Sequence, residues 1–420
     1  MNDYPFKWPP ADTQVDRSIL EDAWSDLRRF KEVPEIDFDR LHAYRTKRLR
    51  AEMQKADVAL LILINPISLR YAIDYSSYQL FQSHIPETYL FMPQDGPIIA
   101  HGVVGETPPT VSQQRPTRPL AFFDAGTEQS EASRLLADDV VQYMREIGCE
   151  NLRIAVECVN PSLTQALMQR GFEVLDGIPI SEAARVIKSE DEIACIRWAI
   201  AVAEHGMAKM HEILRPGITE LQLWGILNYT NLANHGGWHE GRMLCSGPRT
   251  NPWLQEATQR TIESGDLVGF DTDMVGPMGY FADISRTFYC GPGKPSKRQK
   301  ELYRLALDEI EHNIGLIRPG ITAFEIQDQA FPVPEEFQEQ AYVCLLHAAG
   351  MCDEYPRISY PFRERNFYNA TLEKGMVLCM ESYMGAVGER DGVKIEQMVL
   401  VTDEGCEMLS TYPLEEALLD

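Results

Sequence analysis

Apolar positions recur along this chain in two different regimes. Residues 39–56 carry Leu41, Tyr44, Leu49 and Met53 at helical spacing in an otherwise basic stretch, which predicts an amphipathic helix. Residues 58–64 form an unbroken apolar run, short enough for a buried strand and followed by a turn at Asn65-Pro66. Two apolar runs at 89–92 and 97–101 flank Gln94-Asp95-Gly96, which has the composition of a hairpin turn. A helix over 128–147, a strand over 153–158 and a helix opened by Asn160-Pro161-Ser162 continue the alternation. Strands alternating with helices over residues 40–180 indicate an α/β domain.

The second regime begins near Ser181. Ser189-Glu190-Asp191-Glu192 has the acid-rich first turn of a helix that runs to Leu214, where Arg215-Pro216-Gly217 stops it and Thr219-Glu220 caps the next. Beyond Asn234 the pattern turns to strands. Residues 267–274 and 278–289 read as one hairpin around Gly276-Pro277-Met278-Gly279. A helix is expected over 297–317, with strands over 377–381 and 393–401. The organisation is therefore an irregular arm over 1–40, an α/β domain over 41–185 and a second, α+β domain over 186–420.

Composition narrows the class. At about 150 residues per domain, a chain of 420 residues suggests two or three domains. The net charge of −24 repels phosphate backbones, and no Lys/Arg stripe offsets it, so a nucleic-acid partner is not expected. The longest apolar run is too short to span a bilayer, and the N-terminus has no basic segment leading into an apolar stretch. Nine scattered cysteines with no CxxC pair suggest reduced thiols in a cytoplasmic protein.

Candidate chemistry lies in the second half. Asp271 and Asp273 stand two residues apart in an apolar strand, hence on one face, and Asp283 follows on the partner strand. Glu381 and Glu396 sit inside further apolar strands. Any one of these acids could be a solvated surface group. Together, confined in a covered interior, they would repel one another unless cations neutralised them. A pair of divalent metal ions meets that need, and hard oxygen donors with one imidazole suit Mn, Fe, Co or Zn. His347, in an apolar run, is the candidate imidazole. The other eight histidines read as structural; His235 and His239 have i,i+4 spacing, but Gly236-Gly237 argues against a helix that would align them.

In that order and spacing, Asp271/Asp273, Asp283, His347, Glu381 and Glu396 resemble the dinuclear metal site of the pita-bread fold, the family of methionine and Xaa-Pro aminopeptidases, prolidase and creatinase. Arg185-Val186-Ile187-Lys188-Ser189, Asn65-Pro66 and Leu69-Arg70-Tyr71 also resemble Xaa-Pro peptidases and creatinase. Over about residues 40–410 the resemblance implies an N-terminal creatinase-like α/β domain and a C-terminal pita-bread catalytic domain.

Departures from the peptidase pattern bear on function. Residues 245–253 contain no histidine where the peptidases carry a substrate-facing one, and Glu354 stands where they carry a second, seven residues after the metal-binding histidine. Those imidazoles stabilise and protonate the tetrahedral intermediate of amide hydrolysis. Glu381-Ser382-Tyr383 replaces Glu-Pro-Gly, and two aspartates, twelve and ten residues before Asp283, replace one. The altered set is similar to the DddP-type dimethylsulfoniopropionate (DMSP) lyases, which release dimethyl sulfide and acrylate. That resemblance implies both acids of the Asp-x-Asp pair on metal, iron as the metal, Asp353 as the base and Tyr342 in the pocket. Tyr342, Tyr355 and Trp253 could hold a sulfonium by cation–π contact, on the order of 0.5–2 kcal/mol each. A homodimer is expected by family analogy. The rival expectations are an Xaa-Pro dipeptidase or aminopeptidase, a creatinase-like amidinohydrolase and a catalytically dead binding domain.

Overall fold

A computed structural model describes residues 34–419. The expected arm lies outside the described residues as far as residue 33, and the chain is already helical from Phe38, within the last residues assigned to that arm.

Six strands, β1 (Leu60–Leu63), β2 (Tyr89–Pro93), β3 (Ile99–His101), β4 (Gln113–Arg115), β5 (Arg153–Val156) and β6 (Glu173–Asp176), form a mixed sheet in the order β4-β3-β2-β1-β5-β6. β1 is buried on both faces and alternates between two cores, as successive strand side chains must. Leu61 and Leu63 pack with Leu49 and Met53 of the helix Phe38–Lys55. Leu60 and Ile62 pack with Leu136 and Val140 of the helix Gln129–Glu146 and Leu163 of the helix Pro161–Gln169. The turn expected at Asn65-Pro66 is instead a helix start. Asn65 accepts from the Ile67 amide at 2.9 Å, and Pro66 opens the helix Pro66–Ile73 at the position where its missing N–H costs nothing.

Two capped helices lead into the second half. Ser189 and Glu192 form a reciprocal capping box on Glu190–Ile213, and Thr219 and Gln222 form one on Glu220–Ala233. Beyond them, β7 (Leu244–Ser246), β8 (Leu267–Asp271), the short β9 (Met274–Val275) and β10 (Phe281–Ala282), and β11 (Ser285–Tyr289) are followed by β12 (Leu346–Ala349), β13 (Asp353–Ile358), β14 (Val377–Met384), β15 (Val393–Val401) and β16 (Cys406–Met408). They build a three-stranded sheet, β11-β8-β7, and a five-stranded sheet, β13-β12-β14-β15-β16. The sheets meet where β11 packs on β15: Ser285 Oγ donates to Glu396 Oε2 at 3.0 Å, and Thr287 Oγ1 to the Lys394 carbonyl at 2.9 Å.

The hairpin expected over 267–289 is divided. β8 pairs with β11 as far as Asp271 opposite Ser285. The chain then leaves the ladder at Thr272 and Asp273 and re-pairs as β9–β10. Thr272 Oγ1 pins the break, donating to the Ala282 carbonyl at 2.8 Å and accepting from the Ile284 amide at 2.9 Å. Asp273 has φ +36°, a left-handed conformation that aspartate tolerates better than most residues. Among the described residues no helix is long and apolar enough to cross a membrane. All nine cysteines are free thiols.

Candidate metal centre and active site

Glu381 on β14 and Glu396 on β15 are directly opposed in an antiparallel pair. Like charges so placed repel, and both side chains are buried. His347 on β12 pairs opposite Cys379 on β14, two residues from Glu381. Its Nε2 lies 3.2 Å from Glu381 Oε1, 3.5 Å from Asp283 Oδ2 and 3.8 Å from Glu396 Oε1. Its Nδ1 is 3.1 Å from the Ala348 carbonyl, which can only accept. That contact makes Nδ1 a donor and leaves Nε2 as the ring atom that faces the carboxylates.

Asp271, at the end of β8, and Asp283, in the short gap between β10 and β11, enter from the other sheet. Donor atoms of Asp283, His347, Cys379 and Glu396 lie within 4.8 Å of one another, as do those of Asp271, Asp273 and Asp283, and those of Asp271, Glu381 and Glu396. All six residues expected at the metal site are thus brought together. Asp273 joins them through the backbone break after Asp271, not through the regular strand alternation expected from the sequence. Cys379, one of the nine scattered cysteines, is also among these donors.

Three buried carboxylate oxygens, Asp271 Oδ1, Asp283 Oδ1 and Glu396 Oε1, have no hydrogen-bond partner. Leaving such atoms unpaired is costly. Burial, then Asp271, raises Asp273 to about 8. Burial, then Glu396 and Asp271, pushes Asp283 well above the usual carboxylate range. A cation among them reverses those shifts and occupies the unpartnered oxygens. The donor set therefore fits divalent metal.

Lys394 was not singled out in the sequence. It stands two residues before Glu396 on β15, so both side chains share a face of a buried strand. Its ammonium donates to Asp271 Oδ2 at 3.0 Å, to Ser285 Oγ at 2.7 Å and to Glu381 Oε2. Burial disfavours the Asp271 carboxylate, but the Lys394 charge, then hydrogen bonds with Glu396, Asp283 and Lys394, outweigh it and hold Asp271 at about 2.

Asp353 opens β13, with its side chain 59% exposed and Oδ1 3.5 Å from His347 Nδ1. Partial burial raises its carboxyl; His347 opposes the rise and Glu381 adds to it. Glu354, its neighbour, points to the opposite face and is buried. It accepts from Arg185 Nε at 2.9 Å, Lys188 Nζ at 2.9 Å and the Met351 amide at 3.1 Å. Burial raises the Glu354 carboxyl, but Lys188 and then Arg185 more than offset this and leave it below its ordinary value. A Cβ on Gly350 would lie 2.4 Å from Glu354 Oε2, so only glycine lets this carboxylate close the turn between His347 and Asp353.

The three aromatic candidates separate in space. Trp253 is 7% exposed in a small cluster with Cys245 and Tyr383, against which Tyr342 packs. Lys394 Nζ lies 5.7 Å from the Trp253 ring centroid and 4.7 Å from that of Tyr342. Burial, then Glu381, pushes the Tyr342 hydroxyl far above its ordinary value, so it remains protonated. Tyr355 lies on the same face of β13 as Asp353 and is partly exposed. Its ring sits 5.0 Å from that of Tyr368, an aromatic the sequence did not indicate.

Comparison with known proteins matches residues 194–403 to metallopeptidase family M24. The chain is 34% identical over 394 residues to "Dimethylsulfoniopropionate lyase DddP" of Roseovarius nubinhibens, covering 91% of this chain and 88% of that protein. The protein of the same name from Roseobacter denitrificans is 33% identical over the same shares. An Xaa-Pro dipeptidase of Pyrococcus horikoshii is 30% identical over 232 residues, 54% of this chain and 63% of that one. Among solved structures, an Xaa-Pro dipeptidase from Bacillus anthracis superposes with a TM-score of 0.69 at 22% identity, over 89% of this chain and 99% of that one. An X-Pro aminopeptidase from Thermotoga maritima gives 0.67 at 19%, over 88% and 98%. These likenesses bear out the expected pita-bread architecture.

Proposed function

Because the chain belongs to metallopeptidase family M24, a family built around two metal ions, we propose that it is a metal-dependent lyase cleaving DMSP to dimethyl sulfide and acrylate. Asp271, Asp273, Asp283, His347, Glu381 and Glu396 would hold two divalent ions. Iron suits this oxygen-rich set with one imidazole, and zinc, manganese or cobalt are its competitors. When bound, the ions supply Lewis-acid chemistry, binding a carboxylate and acidifying the adjacent C–H.

The remaining work falls to the protein. Asp353, partly exposed beside His347, takes the proton from the carbon next to the substrate carboxylate. The C–H electrons form the double bond of acrylate, the C–S bond breaks, and sulfur leaves with its electron pair as neutral dimethyl sulfide. A raised carboxyl pKa suits a base working near neutrality. Tyr355, with Tyr368 behind it, offers aromatic faces on the Asp353 side of the sheet for the sulfonium. Trp253 and Tyr342 face the Lys394 ammonium; within this mechanism their rings serve that lysine first.

The observation that carries the lyase reading over the peptidase one is the absence of both substrate-facing imidazoles, from residues 245–253 and from position 354. Glu354 occupies the sequence position of the peptidases' second imidazole, and both of its oxygens are bound to buried cations. It cannot donate a proton to a leaving amine. The likeness to two proteins named as DMSP lyases over most of both chains supports the same conclusion. Proton NMR of DMSP with metal-loaded protein tests it: olefinic acrylate signals are expected to grow as the DMSP signals decay. An unchanged DMSP spectrum with metal bound would overturn the assignment.

A further inference from the structure

Lys394 is the one ammonium inside the carboxylate cluster among the described residues, and its surroundings are built. Its side chain is 0% exposed. An ammonium has three hydrogens, and Asp271, Ser285 and Glu381 accept them. Glu396 Oε2 lies 3.5 Å away. The ring centroids of Tyr342 and Trp253 lie 4.7 and 5.7 Å from it. The Lys394 amide donates to Thr287 Oγ1 at 3.0 Å, and its carbonyl accepts from the same hydroxyl at 2.9 Å, so the backbone is fixed as well.

Charge explains why a lysine belongs there. Asp271, Asp273, Asp283, Glu381 and Glu396 together outweigh two divalent ions by one negative charge. In a site this buried, residual charge is expensive. We propose that Lys394 is a positioning residue of the metal centre: a permanent third cation that holds Asp271 and Glu381 in place and brings the loaded centre to neutrality. Cation–π contact with Tyr342 and Trp253 compensates the ammonium for lost water. This inference rests on the two-metal reading and adds to it a protein-borne charge that both steadies the stripped site and competes with the metals for Asp271 and Glu381.

The test compares wild type, Lys394→Met and Lys394→Arg. Thermal unfolding is followed after chelator treatment and again with saturating Mn²⁺. Bound metal is also counted by mass spectrometry as chelator is titrated into each loaded protein. In Lys394→Met the stripped form should melt below stripped wild type, and metal should close most of that gap. Removing the metals should take several-fold more chelator, and Lys394→Arg should resemble wild type in both measurements. An equal melting deficit in stripped and loaded Lys394→Met would overturn the proposal, leaving a merely structural lysine. So would an unchanged or lower chelator requirement, a measurement that does not need the stripped variant to fold. Wild type that binds no metal would instead remove the two-metal reading beneath it.

Discussion

Arg185 Nε donates to Glu354 Oε1 at 2.9 Å, and this ion pair lies immediately behind Asp353. Arg185 ends the helix Ile178–Arg185, and Lys188 follows in the short link to the helix Glu190–Ile213. The link between the two halves of the chain is thereby tied to the turn that carries the proposed base. Breaking a buried pair by removing one partner is costly, about 3–5 kcal/mol. Glu354→Gln should therefore melt well below wild type in thermal or urea unfolding, while Asp353→Asn, at a largely exposed side chain, should not.

Asp353→Asn removes the base and leaves the metal donors in place. Positioned base catalysis contributes typically about 10²–10⁴-fold. Turnover of DMSP should fall by that order with metal content unchanged, as read by steady-state kinetics alongside metal analysis. Near-normal turnover in a metal-loaded variant would assign the base elsewhere.

Metal removal should abolish activity and lower the melting temperature together, because the unpartnered oxygens of Asp271, Asp283 and Glu396 lose their cations. Dialysis against a chelator followed by Fe²⁺ addition should restore both, with two ions per chain by mass spectrometry.

A pH effect on stability is expected far from the centre. His101 is buried between Tyr89 and Phe91, whose ring centroids are each 4.5 Å away. Burial, with Arg115 adding to it, lowers its pKa from 6.5 to about 4. The unfolded chain therefore binds this proton more readily than the folded one. Its stabilising contribution is complete above about pH 6.5 and is lost as pH falls toward 4, at about 1.4 kcal/mol per unit. Melting temperatures between pH 7.5 and 5 should fall less steeply in His101→Phe than in wild type.

Much of this architecture is legible in local signals. The helix starts expected at Ser189 and at Thr219-Glu220 are both present, and the strand expected at 393–401 matches β15 residue for residue. The convergence of Asp271, Asp283, His347, Glu381 and Glu396 is what their resemblance to the pita-bread metal site implies; their apolar surroundings alone indicate only that they are buried. What escaped the sequence depends on distant partners. The pairing of Glu354 carries no local signal, because the cations that bind it lie 169 and 166 residues away. β12, with two alanines in four residues, carries little intrinsic strand preference. Asp273 reaches the cluster through a backbone break that Thr272 holds from within. Lys394 did leave a trace: a cation two residues from Glu396 on one face of a largely apolar strand.

The most direct measurement gives purified, iron-loaded protein DMSP and an Xaa-Pro dipeptide in parallel, following dimethyl sulfide by headspace gas chromatography and free proline by amino-acid analysis. Dimethyl sulfide that disappears with chelator, and no proline, is the expected result. Proline release without dimethyl sulfide would contradict lyase function and return the chain to the peptidases of its family.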